Sequence, residues 1–269
     1  LKCLYLKKFT HVIQNSFNVS LNKISSYKTE NKIIENKKVI PVVFTGDNNY
    51  MQYIGTAIAS MLYNSKPDTY YEINIMCAND ITEDNIQKFE ELKKIKDFSL
   101  KIVPIKLSFD DIYVQAHFVP QQIYRLILSS TFPQYDKIIS FDGDVLIKDD
   151  LQELYDNDIS NYYMASAIEM VKSAEFKANI IINLQGKVMT FYDYFYKHLK
   201  MPLNYDHINS GVVVFNLKKM RADNMEENLL NFLREKSPIC FPEQDPLNIV
   251  LGGKKNKILN YNWNIITSL

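Results

Sequence analysis

Between Val39 and Ile105 three short apolar runs alternate with two segments of helical spacing, and this alternation narrows the fold more than any other feature. Val39-Ile-Pro-Val-Val-Phe44, Tyr71-Glu-Ile-Asn-Ile-Met-Cys77 and Leu100 to Ile105 have the length and composition of buried strands. Pro41 is tolerable near a strand start. Tyr50 to Asn64 carries Ile54, Ile58, Met61 and Leu62 on one face, and Thr82 to about Lys96 carries Ile86, Phe89, Leu92 and Ile95. Strand-helix-strand-helix-strand predicts a parallel sheet with crossover helices, an α/β fold. Further strands are expected at Ile138 to Phe141, Tyr163 to Ala167, His207 to Phe215 and near Ile258. Helical spacing recurs at Gln121 to Ser130, near Phe191 to Leu199, around Leu229, Leu230 and Leu233, and from about Pro246 to Leu251. Asp150-Leu-Gln-Glu153 has the form of a capping box for a short helix through Tyr155.

Composition removes several classes of function. Thirty-one basic residues balance thirty-one acidic ones, so no global field draws in nucleic acid or an anionic membrane. Cys3, Cys77 and Cys240 are too few and too scattered for a disulfide framework, which fits a reducing, cytoplasmic compartment. No run approaches the roughly 18 apolar residues that span a bilayer. Lys7-Lys8 breaks the opening apolar stretch before it can form a signal peptide. Residues 1–38 hold eight Lys against Glu30 and Glu35, and read as a basic N-terminal extension or linker. Residues 39–269 then form one domain. The first residue is Leu, so a piece of a longer chain is expected.

Chemistry concentrates after the fourth predicted strand, at Asp142-Gly143-Asp144. Side chains two residues apart on extended backbone point the same way. The two carboxylates repel unless a cation sits between them, and hard oxygen ligands suit Mg²⁺ or Mn²⁺ bound together with substrate phosphates. Gly143 would let a ligand approach the backbone. A solvated Asp-Gly turn has the same spacing, so these residues alone leave both readings open. After the first strand, Asp47 and Asn49 stand where a nucleotide lies beyond a strand's carboxyl end. No Walker-type phosphate loop is visible.

Taken in order, Val42-Val-Phe-Thr-Gly-Asp-Asn-Asn-Tyr50, Tyr124-Arg125-Leu126, Phe141-Asp-Gly-Asp-Val145, Ile208-Asn-Ser-Gly-Val-Val-Val-Phe-Asn-Leu217 and Glu243-Gln-Asp245 resemble the family 8 retaining glycosyltransferases. That group includes bacterial lipopolysaccharide galactosyl- and glucosyltransferases and glycogenin. The resemblance covers about residues 39 to 264. It implies a GT-A-type nucleotide-sugar-binding domain with a central, mostly parallel sheet flanked by helices. It also implies a UDP-sugar donor, a divalent metal (usually Mn²⁺) and retention of anomeric configuration.

By position in the family, Thr45, Asp47, Asn49 and Tyr50 would contact the nucleotide, and Arg125 the donor's phosphate or sugar. Asp142 and Asp144, flanking Gly143, would hold the metal. Asn209 and Glu243 would bind donor-sugar hydroxyls, and Gln244 would face the anomeric carbon. Glu169 would line the same pocket, and His117 matches an acceptor-side position. Glu243 stands where relatives often carry Asp. The family completes its metal site with a His in a C-terminal His-x-x-Gly-x-x-Lys-Pro-Trp-like segment. No such segment occurs before Leu269, so a domain truncated at its C-terminus is expected. The resemblance implies a saccharide, lipid-linked glycan or protein acceptor, and an enzyme peripheral at the inner face of a membrane. Two alternatives remain: a nucleotide-sugar-binding module without turnover, and a nucleotidyltransferase. The latter normally has a basic, Gly-rich loop, and Thr45 to Tyr50 contains no Lys or Arg.

Overall fold

One reversed strand sets the layout of the sheet. The computed structural model describes residues 36–106, 120–169, 180–203 and 205–266. The sheet contains β1 (Lys38–Thr45), β2 (Thr69–Cys77), β3 (Ser99–Pro104), β4 (Lys137–Phe141), β5 (Met164–Ile168), β8 (Ile208–Asn216) and β9 (Asn256–Ile258). β6 (Ile181–Leu184) and β7 (Lys187–Thr190) form a separate hairpin. Strand order in the sheet is β3-β2-β1-β4-β8-β5-β9. β1 pairs parallel with β2 and β4, β2 with β3, and β5 with β9, whereas β8 is antiparallel to both β4 and β5. The expected mostly parallel sheet therefore forms, with one inversion. Because of it, the first residues of β8 lie beside the last residues of β4, and the Asp142 N–H donates to the Gly211 carbonyl at 2.8 Å.

Helices cover both faces. α1 (Met51–Tyr63) and α2 (Glu83–Glu91) are the crossovers between the first three strands. Later come α3 (Leu128–Thr131), α4 (Gln152–Tyr155), α5 (Leu217–Ala222), α6 (Met225–Lys236) and α7 (Gln244–Val250). Alternate strand residues feed two separate cores, as the two-residue period demands. Ile40, Val42 and Phe44 pack with α1, while Val43 packs with the layer holding Leu229, Leu233 and Leu247. Among the described residues no helix is long and apolar enough to cross a membrane.

Several expectations are corrected. Gln121 to Ser130 is a 3₁₀ run, Pro120–Ile127, followed by the single turn α3. Its residues Ile123 to Leu128 are all buried in succession. The apolar run Val145 to Ile147, whose length reads as a second buried strand after the Asp pair, holds only a single bridge residue, Ile147, although Val145 and Ile147 are buried. Ile95 is 45% exposed because α2 ends at Glu91 and tightens into a 3₁₀ turn, Leu92–Lys94. The helical stretch near Phe191 is a π-helical turn, Asp193–His198. Residues 1–35, including most of the basic extension, and His117 lie outside the described residues.

Asp150 pins the far end of the sheet, but the expected capping box does not form: the cap of α4 is Leu151, without a side-chain cap hydrogen bond, and the Asp150 N–H donates to Asp149. The Asp150 carboxylate accepts from the Lys66 N–H at 2.8 Å, the Thr69 hydroxyl at 2.6 Å and the Gln152 N–H at 2.9 Å. Burial alone would raise its pKa, but the Thr69 hydroxyl and the two N–H groups outweigh burial and lower it. A lowered folded-state pKa means stability that is present above the ordinary aspartate range and lost as pH falls through the folded value. Asp150→Ala should therefore cost about 3 kcal/mol near neutrality, because three donors lose a charged acceptor. Urea denaturation of the two proteins should converge on acidification.

Candidate active site

β4 ends where β8 begins, and a buried arginine joins the two ends. Arg125 is 2% exposed. Its guanidinium donates to the Ser210 carbonyl at 2.9 Å, to the Phe141 carbonyl at 3.0 Å and to the Asp142 carboxylate in an ion pair. The fork thus serves protein atoms of both strand ends and of the Asp pair.

Asp142 and Asp144 do lie together. Asp144 is pushed up to about 6, first by burial and then by the negative charge of Asp142, against the opposing hydrogen bond from Tyr50. A divalent cation would relieve that repulsion, so the donor set fits Mn²⁺ or Mg²⁺. Among the described residues no third His, Cys, Asp or Glu joins the pair. Gly143 is closely packed by protein atoms. A Cβ there would lie 2.7 Å from both the Tyr50 ring and Ile54, so the glycine lets α1 and its leading Tyr50 close over the Asp pair.

The residues after β1 form the neighbouring wall. Thr45 ends the strand and is buried, Asp47 accepts the Tyr50 N–H at 2.9 Å as a helix cap, and Asn49 is exposed. Asn48, which sequence reasoning passed over, accepts from the Thr82 N–H at 2.9 Å and the Asn85 amide at 2.8 Å. It fixes this loop to the start of α2.

On the other side, β8 and α7 interlock. The carbonyl oxygen of Gln244 accepts from the Ser210 N–H at 3.1 Å and lies 3.0 Å from the Ser210 hydroxyl. A backbone N–H can only donate, so the Gln244 amide must turn its carbonyl inward and its NH₂ outward. The Ser210 hydroxyl is also 3.1 Å from a Glu243 carboxyl oxygen. Burial raises the Glu243 pKa, with Arg125 opposing, and its second oxygen is buried without a hydrogen bond among the described residues. Asp245 is wholly buried and accepts from the Tyr194 hydroxyl and, at 3.0 Å, the Phe241 N–H. Asn248 joins α7 to β8 by accepting the Ile208 N–H at 2.7 Å and donating to the Ile208 and Gln244 carbonyls. Asn209 is buried, accepts the Gly211 N–H at 2.7 Å and donates to Glu169. Ser210 lies inside the Ile208 to Leu217 motif without being singled out, and Asn248 and Asn264 lie outside the quoted motifs. The i, i+4 spacing of Gln244 and Asn248 was the available clue.

The sequence profile of Glycosyl transferase family 8 matches residues 41–269. The chain belongs to that family. A Haemophilus influenzae relative is 26% identical over 228 residues, 83% of this chain and 62% of its own length. The lipopolysaccharide 1,2-glucosyltransferase of Escherichia coli is 22% identical over 246 residues, 87% of this chain and 65% of its own. The chain thus spans less than two thirds of these two relatives. The galactosyltransferase LgtC, solved with donor and acceptor sugar analogues, superposes with a TM-score of 0.68 at 22% identity, over 82% of this chain and 74% of that one. That likeness establishes a GT-A-type fold.

The raised Asp144 makes a stability prediction of opposite sign to Asp150. An unfolded aspartate titrates near 3.9, so the folded state holds its proton more tightly and stability falls as pH rises from about 4 to about 6. Without metal at pH 7.5, Asp144→Asn should be more stable than its parent by on the order of 1 kcal/mol, allowing for partial exposure. Urea melts from pH 4 to 8 should show the gap closing towards acid.

Proposed function

We propose that this family 8 domain transfers a hexose, galactose or glucose, from a UDP-sugar to a saccharide, lipid-linked glycan or protein acceptor, with retention of configuration. The carrying observation is the convergence of Asp142, Asp144, Arg125, Asn209, Glu243 and Gln244 where β4 ends and β8 begins. That is where nucleotide ligands sit in α/β sheets. The E. coli relative's name, a lipopolysaccharide glucosyltransferase, favours a cell-surface glycan acceptor. A cytoplasmic enzyme working at the inner membrane face fits that acceptor.

Thr45, Asp47, Asn49 and Tyr50 hold the nucleotide in this reading. Asp142 and Asp144 hold Mn²⁺ or Mg²⁺, which supplies charge neutralisation to the departing diphosphate. Asn209 and Glu243 bind sugar hydroxyls. Arg125 acts mainly by fixing Asp142 and the Ser210 backbone. Gln244, its carbonyl already engaged by Ser210, presents N–H groups rather than a nucleophilic oxygen, which suits a front-face displacement in which the enzyme positions the acceptor.

The test is a UDP-sugar panel with the full-length protein, with and without Mn²⁺. Metal-dependent release of UDP is expected. Release of sugar 1-phosphate, the leaving group when the uridylyl group is transferred, would instead identify a nucleotidyltransferase, and tight UDP binding with neither transfer nor hydrolysis would identify a binding module.

A further inference from the structure

Asn209 leaves its side chain no freedom. The Gly211 N–H, which can only donate, fixes the Asn209 carbonyl oxygen at 2.7 Å. The amide nitrogen then faces Glu169, to which it donates. A third group completes the clamp. The Nδ2 of Asn264 donates to that same Asn209 carbonyl oxygen, and Asn264 is 6% exposed.

Asn264 is itself held from behind. It follows a 3₁₀ turn, Tyr261–Trp263, capped by the Asn260 side chain, which accepts the Asn262 N–H at 3.0 Å. Trp263 is buried in the α1-side core, and the Asn264 N–H donates to the Tyr261 carbonyl at 3.0 Å. The turn therefore delivers a rigid donor to the start of β8. Gly211 makes room for it, since a Cβ there would lie 2.8 Å from the Asn209 oxygen, 3.0 Å from Asp142 Oδ2 and 3.3 Å from Asn264 Nδ2. Three groups from three elements meet around that one missing side chain.

We infer that Asn264 is a positioning residue for the donor sugar: it fixes the Asn209 amide with its nitrogen turned to Glu169, so that this pair meets the sugar hydroxyls in one orientation. The inference rests on the reading of Asn209 as a sugar-binding residue. It separates the sugar from the nucleotide, because Asn264 touches Asn209 and borders Asp142 but has no contact with the Asp47 to Tyr50 loop among its described hydrogen bonds.

The exchange of one atom tests it. Asn264→Asp replaces the donor by an acceptor facing an oxygen that the Gly211 N–H holds in place, whereas Asn264→Ala only removes the donor. With the full-length chain and Mn²⁺, UDP affinity by calorimetry should stay within about twofold in both variants, while UDP-sugar affinity and kcat/KM should fall by about tenfold for Ala and further for Asp. UDP-sugar affinity equal to the parent's in both variants would overturn the inference, as would parallel loss of UDP and UDP-sugar binding. A parent that binds no UDP-sugar would overturn the underlying reading as well. A parent that binds it without turnover leaves the affinity comparison decisive.

Discussion

A buried guanidinium holds the ends of β4 and β8 together, and most of the site is built from what it touches. Strand ends leave carbonyls without ladder partners, and such groups need donors when buried. Arg125 supplies them to Phe141 and Ser210 at once. A cation in this environment is costly unless paired, and Asp142 is its counter-ion. The two carboxylates of the Asp-Gly-Asp turn therefore differ in kind. Asp142 is both a structural partner and a candidate ligand, so its removal would strand a buried charge. Asp144 is a candidate ligand whose hydrogen bond from Tyr50 does not offset burial and the charge of Asp142, so in the absence of a cation its charge works against the fold.

Much of the fold was legible because β1, β2, β4, β5 and β8 are buried on both faces and read as apolar runs bounded by turns. β1, β2, β3, β4, β5 and β8 fall within a residue or two of their expected positions. The β6–β7 hairpin was not visible. Its turn puts Gln185 and Gly186 at φ of 50° and 83°, the left-handed geometry of a two-residue hairpin loop, but Gln-Gly lacks the Asn-Gly signature, and apolar Ile181 and Val188 on the exposed face blur the alternation that takes Ile182 and Leu184 to the core. The direction of β8 was equally hidden, since an apolar run carries no sign of which way it pairs.

The site was legible where a residue type is unusual for its surroundings, as with paired carboxylates at a strand end. It was illegible where function is shared with packing. Gly143 reads as room for a ligand, and its close packing against Tyr50 and Ile54 leaves no mark in the sequence. The bonds of Arg125 to the Ser210 and Phe141 carbonyls and to Asp142 are equally hidden. Asn264 and Asn248 look like any other Asn in an Asn-rich chain, and only the contacts at β8 distinguish them.

The inversion of β8 has an effect on tolerance to change. Consecutive residues at its start are gripped from opposite layers: Asn209 by the C-terminal turn through Asn264, and Ser210 by α7 through Glu243 and Gln244. The candidate site therefore lies on the seam between two independently packed cores. A loosening of either core reaches Asn209 and Ser210 within one peptide bond, before the sheet itself comes apart. Variation that the scaffold absorbs easily is expected to be felt first as a drift in the geometry of these two residues, so their alignment is the more sensitive gauge of this fold's integrity.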